Sequence, residues 1–107
     1  MSLLIVYCSV PDDAVAERIA RTLVEERLAA CVTRLPNGVS TYRWQGEVLV
    51  EPELLLLIKT TRAVFKAVSK RVTDLHPYSV PELIAVDVVD ALPAYAEWVK
   101  DALIDST

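Results

Sequence analysis

Two glycines and a single histidine are all that the 107 residues contain of those types. Two glycines cannot build a phosphate-cradling Gly-rich loop, which excludes the phosphate-transfer chemistries that depend on one. The two cysteines, Cys8 and Cys31, lie 23 positions apart. That spacing excludes a Cys-x-x-Cys metal-transfer or redox motif, and so small a count excludes a disulfide framework; free thiols in a reducing cytoplasm are expected. Cationic clusters are missing too: eleven Lys and Arg residues are scattered through a chain of net charge −4, so a phosphate backbone would be repelled rather than gripped. The apolar run Leu3 to Tyr7 is far too short to span a bilayer, and no basic residues precede it as they would in a signal peptide. No Ser-His-Asp or Cys-His spacing suggests a nucleophile, and no Lys/Arg-Gly-Phe signature suggests an RNA-binding sheet. An enzyme, a nucleic-acid binder and a membrane protein are therefore not expected.

Apolar material, by contrast, is abundant, at 53% of the residues. A chain of this length makes one domain (1–107) with a large surface for its volume, so that much apolar surface predicts a buried subunit interface. Leu3 to Tyr7 reads as a buried strand. Pro11-Asp12-Asp13 opens a helix whose apolar face combines Val15, Ile19 and Leu23 with Ala16, Ala20 and Val24 and runs to Leu28. Ala30 to Leu35 reads as a strand, interrupted by Pro36-Asn37-Gly38 and resumed from Val39 to Trp44. Gln45-Gly46 makes a two-residue turn, Glu47 to Val50 returns, Glu51-Pro52-Glu53 marks an irregularity, and Leu54 to Ile58 is a fully apolar strand. Thr60 and Thr61 are placed to cap a helix with Phe65, Val68, Val72 and Leu75 on one face, which His76-Pro77 ends. Leu83 to Val89 gives the last strand. Pro93 starts a final helix with Tyr95, Trp98, Val99, Ala102 and Leu103 on one side.

The order strand, helix, long hairpin, helix, strand predicts an α+β fold of the ferredoxin-like βαββαβ type, with an additional C-terminal helix and both main helices on one face of an antiparallel sheet. The hairpin is out of proportion. Each arm between Ala30 and Ile58 could be twice the length of an average strand of about 5 or 6 residues. Its tip carries Tyr42, Trp44 and Val48, for which one domain offers no partner. Pairing with strands of neighbouring copies would satisfy the open edges and cover the aromatics.

Several of these segments, taken in order, resemble the CutA (divalent-cation tolerance) proteins. They are Leu28-Ala29-Ala30-Cys31-Val32, Tyr42-Arg43-Trp44-Gln45-Gly46, Leu56 to Thr61, His76-Pro77-Tyr78 with Val80-Pro81-Glu82, and Tyr95 with Trp98. The resemblance implies a compact homotrimer similar to the PII-type signalling proteins, with each hairpin extending a neighbour's sheet. It also implies a link to tolerance of copper and other divalent metal ions, and copper as the metal to look for.

Copper takes thiolate as Cu(I) and imidazole as Cu(II). Cys8, Cys31 and His76 are the only such side chains, and Cys8 and His76 match the positions to which the family's metal has been assigned. Where some members carry two consecutive histidines this chain has Leu75 first, which removes one ligand. Other readings of the same residues are a cysteine acting as a small core hydrophobe and a histidine serving the helix end. A second constellation gathers Lys59, Glu82, Arg43, Tyr78, Tyr42 and Trp44. A lysine at the end of a buried strand needs a partner, and Glu82 is placed to supply one. The constellation reads either as a salt bridge fixing the subunit interface or, by analogy with PII-type trimers, as an intersubunit cleft for a small anionic ligand.

Overall fold

The structure is a computed structural model that describes residues 2–104. Four strands, β1 (Leu3–Val10), β2 (Cys31–Trp44), β3 (Glu47–Thr61) and β4 (Ile84–Asp87), form one sheet in the order β2-β3-β1-β4, with every neighbouring pair antiparallel. Helices α1 (Asp13–Glu25) and α2 (Phe65–Leu75) connect β1 to β2 and β3 to β4, and α3 (Pro93–Ala102) follows β4. This is the expected ferredoxin-like arrangement with its extra helix.

Strand alternation divides the sheet into two unlike faces. Val6, Cys8 and Val10 of β1 and Leu56 and Ile58 of β3 are fully buried beneath Ile19 and Leu23 of α1 and Val68 and Val72 of α2. The opposite face carries Ile5 and Tyr7 beside Leu57 and Lys59, with Ile84 and Val86 of β4 in register at one edge and Thr33 and Leu35 of β2 at the other. Ile84 is 56% exposed and Val86 45%, so this second face presents aliphatic side chains to solvent.

Helix α1 starts as its sequence requires: the Asp12 carboxylate accepts the Val15 amide at 2.9 Å. It stops at Glu25 rather than running to Leu28. Arg27 takes the left-handed conformation at φ 60°, its amide donates to the Val24 carbonyl, and the Leu28 amide donates to that of Leu23. This is the paired-bond helix ending usually built on glycine. Arg27 fills that place because its guanidinium reaches the Asp101 and Ala102 carbonyls at the end of α3, at 2.9 and 3.0 Å.

Several local expectations differ from the structure. Thr61 holds the N-cap position of a 3-10 turn over Arg62–Val64 that precedes α2, but its side chain makes no cap bond, and the buried Thr60 hydroxyl instead donates to the Leu28 carbonyl at 2.7 Å. Strand β3 passes through Pro52 without a register shift, since β1 pairs only from Leu54 onward and leaves Pro52 on a free edge where its missing N–H costs little. Strand β4 is confined to Ile84–Asp87, the stretch that β1 can pair. On α3 the buried residues are Ala96 and Val99, with Leu103 buried just beyond it, whereas Tyr95 and Trp98 turn outward with ring centroids 5.7 Å apart.

Candidate functional site

The hairpin builds one wall of the site. A turn with Gln45 at φ 49° and Gly46 at φ 84° sets the register Trp44↔Glu47, Tyr42↔Leu49 and Ser40↔Glu51. Ser40, Tyr42 and Trp44 therefore share a face with Glu51 and Glu53, and Arg43 points to the other. Between Leu35 and Gly38 the register shifts, and the ribbon bends there. At Gly38 a Cβ would stand 2.6 Å from the Glu53 carbonyl oxygen, so only glycine lets the two arms close at that level.

The facing wall is the segment after α2. His76 ends that helix in an extended conformation, as the following proline requires. Its ring is held at both nitrogens: the Tyr78 amide donates to Nδ1 at 3.1 Å, which leaves Nε2 protonated and donating to the Ser9 carbonyl at 2.8 Å. Tyr78, tilted against the imidazole with ring centroids 4.7 Å apart, donates its hydroxyl to Glu53 Oε2 at 2.8 Å. Tyr42 donates to Glu51 in the same way.

Between the walls lies a cavity of about 470 Å³, walled by Tyr42, Trp44 and Tyr78 and carrying the carboxylates of Glu53 and Glu82. Ser9, Ser40, Thr41 and Ser79 add hydroxyls, and among the described residues no lysine, arginine or histidine lines it. Glu53 is only 8% exposed. Burial, together with the Glu53 carboxylate, drives the Tyr78 hydroxyl well above the usual phenol range.

The six residues grouped in the sequence thus separate. Tyr42, Trp44, Tyr78 and Glu82 meet at this cavity. Lys59 instead sits in a second cleft with Ile5, Leu92 and Tyr95. There its ammonium donates to the Thr33 hydroxyl and lies 3.8 Å from Cys31 Sγ. Within one subunit Lys59 and Glu82 occupy different clefts and do not pair. Arg43 lines neither. The cavity that remains within one subunit is acidic. Glu53, not singled out from the sequence, is its most buried carboxylate; the two-residue turn carries the register that places Glu51 and Glu53 beside Tyr42, but the buried tyrosine contact has no sequence signal.

Cys8 and His76 do converge, on the Ser9 carbonyl oxygen: Cys8 Sγ lies 3.8 Å from it and His76 Nε2 2.8 Å. As arranged they do not fit a metal. Burial first, then the charges of Glu82 and Glu53, push the Cys8 thiol up to about 12, and both imidazole nitrogens are already hydrogen-bonded. Among the described residues no three His, Cys, Asp or Glu side chains are grouped to hold a metal ion.

The fold and cleft define an α+β sandwich with an overlong hairpin. The sequence profile of the family described as "CutA1 divalent ion tolerance protein" matches residues 4–102. The chain belongs to that family. It is 48% identical over 97 residues to the divalent-cation tolerance protein CutA of Thermus thermophilus, covering 91% of this chain and 94% of that one. The crystal structure of CutA from Xylella fastidiosa superposes with a TM-score of 0.95 at 46% identity, covering 97% of this chain and all of that one. CutA1 from Oryza sativa gives a TM-score of 0.95 at 35% identity, over 98% and 96% of the two chains.

Proposed function

We propose that this protein serves divalent-cation tolerance as a non-catalytic, PII-like homotrimeric scaffold in a reducing, cytoplasmic compartment. Neighbouring subunits cover the open sheet face and pair with the hairpin. The observation that carries this reading is the uncovered apolar surface of a single subunit. Val39, Val48 and Val50 on the ribbon and Ile84 and Val86 on the short edge strand are all exposed, and each strand edge beside them is unpaired within the chain. A lone protein does not leave such edges and such a patch in water. The two unpaired cysteines fit the compartment.

In this reading the response to copper and other divalent cations does not run through a resident metal on Cys8 and His76. A metal there would have to displace the hydrogen bonds of the imidazole and take the proton of a thiol that burial holds firmly. Two measurements test the proposal. Sedimentation equilibrium is expected to give three times the subunit mass, and a monomer at micromolar concentration overturns the scaffold. Titration calorimetry of Cu(II), Zn(II) and Cu(I) on the reduced protein is expected to show no saturable site that His76→Ala abolishes. Binding at a simple ratio per subunit that disappears in that variant would restore Cys8 and His76 as ligands.

A further inference from the structure

We propose that the cavity between the hairpin and the segment after α2 is a binding site for a small organic ammonium ion. This goes beyond the scaffold reading, which assigns the cavity no ligand.

The primary observation is a cavity with aromatic walls. At about 470 Å³ it falls within the range of roughly 300–1,000 Å³ in which small molecules are bound. Tyr42, Trp44 and Tyr78 supply three π-faces, and aromatic faces attract cations, Trp most strongly. The second observation is charge without compensation. Glu53 is more than nine-tenths buried, its Oε2 takes the Tyr78 hydroxyl, and its Oε1 accepts no hydrogen bond among the described residues. Neither Glu53 nor Glu82 joins an ion pair among the described residues. No buried side-chain oxygen lacks a partner among the described residues, so the free Glu53 oxygen is open to the cavity, where a cation or donor can reach it.

The same features select among cations. A hard divalent ion takes six or more oxygen ligands and prefers several carboxylates, whereas this lining has two carboxylates and three aromatic rings. An anion meets two negative charges and no basic residue. An alkylammonium satisfies both halves of the lining: its charge faces Glu53 and Glu82, and its apolar shell packs on the rings.

Choline, its uncharged carbon isostere 3,3-dimethyl-1-butanol, ethanolamine, magnesium and succinate are titrated separately into the assembled protein. Calorimetry and, in a Trp98→Phe background, Trp44 fluorescence report binding, and light scattering follows assembly throughout. Choline or ethanolamine is expected to saturate, with the isostere at least about tenfold weaker, or about 1.4 kcal/mol. Glu53→Gln and Glu82→Gln, which keep shape and remove charge, are each expected to weaken binding about as much. Equal binding of choline and its isostere, preferred binding of magnesium or succinate, or indifference to both glutamine variants overturns the proposal. So does an absence of saturation in protein that is fully assembled, which would leave the scaffold reading standing. Loss of assembly without loss of ammonium binding separates the two in the other direction.

Discussion

The hydroxyl of Tyr78 donates to the buried carboxylate of Glu53 at 2.8 Å, tying the segment after α2 to the hairpin across 25 residues of chain. Each partner is held in place by something else: Tyr78 by its amide bond to His76, and Glu53 by the close approach of the arms at Gly38. Replacing Tyr78 with Phe keeps the ring and leaves Glu53 Oε2 without its donor. A loss of about 1–3 kcal/mol is expected. Urea unfolding of Tyr78→Phe beside Tyr78→Phe/Glu53→Gln checks it, since the second change should recover part of the loss.

Gly38→Ala places a methyl group 2.6 Å from the Glu53 carbonyl oxygen, which is backbone and cannot rotate away. The arms must part at that level. The expected destabilisation is about 1–3 kcal/mol, and hydrogen exchange should quicken at the hairpin while the amides of β1 stay protected.

Arg27 occupies a left-handed position and also holds the end of α3. Arg27→Ala loses the two carbonyl contacts and keeps the backbone strain. Arg27→Gly loses the same contacts and relieves the strain, so it should be the more stable of the two by up to about 1 kcal/mol. Thermal melts of both variants measure the difference. A glycine variant no better than the alanine variant would mean that Arg27 sits there without strain.

Burial raises the Cys8 thiol from 9.0 to about 12, so the folded protein keeps a proton that the unfolded chain gives up. Unfolding therefore releases a proton between about pH 9 and 12, and stability falls as pH rises through that window. In a Cys31→Ser background the remaining thiol should resist Ellman's reagent at pH 8 until denaturant is added. A Cys8→Ser variant should show a shallower alkaline slope.

Val48→Glu puts a charge on the exposed apolar face near the hairpin tip. Assembly should loosen by about tenfold or more in dissociation constant, since a like-charged or unpaired group in an interface costs about 1.4 kcal/mol for each such factor. Sedimentation velocity over a dilution series reads the change.

How far the sequence speaks depends on whether a feature is local. Asp12 at the start of α1, His76 before Pro77 and the Gln45-Gly46 turn act through their immediate neighbours, and each does in the structure what its position predicts. The hydrophobic periods of α1 and α2 and the element order likewise sufficed for the ferredoxin-like topology. The failures involve distant partners. Thr60 looked like a cap but bonds to Leu28 from the far side of α1. Lys59 and Glu82 do not meet within one subunit, where strand register sends the first toward Cys31 and Thr33. Arg27 gave no sign of ending a helix, because its reason for being there lies in α3. Tyr95 and Trp98 were grouped on one side of the last helix with Val99, although an amphipathic aromatic can equally face out. For the cavity, Tyr42, Trp44, Tyr78 and Glu82 were readable, and its sign was not. That sign depends on Glu53, which enters only once the two-residue turn fixes the register and Tyr78 closes over it.

The outer half of the hairpin, from Gly38 to Glu53, rests on no other strand of its own sheet. A newly made chain thus completes its core and still carries two bare strand edges. Under the proposed assembly it is then in a race. At an association rate near 10⁶ M⁻¹s⁻¹ and micromolar chain, copies find one another in about a second. At nanomolar chain the wait is about a thousand times longer, and any other exposed edge in the cell has that time to intervene. Expression level therefore decides how long each chain remains vulnerable, and a poorly expressed copy is the one expected to need a chaperone.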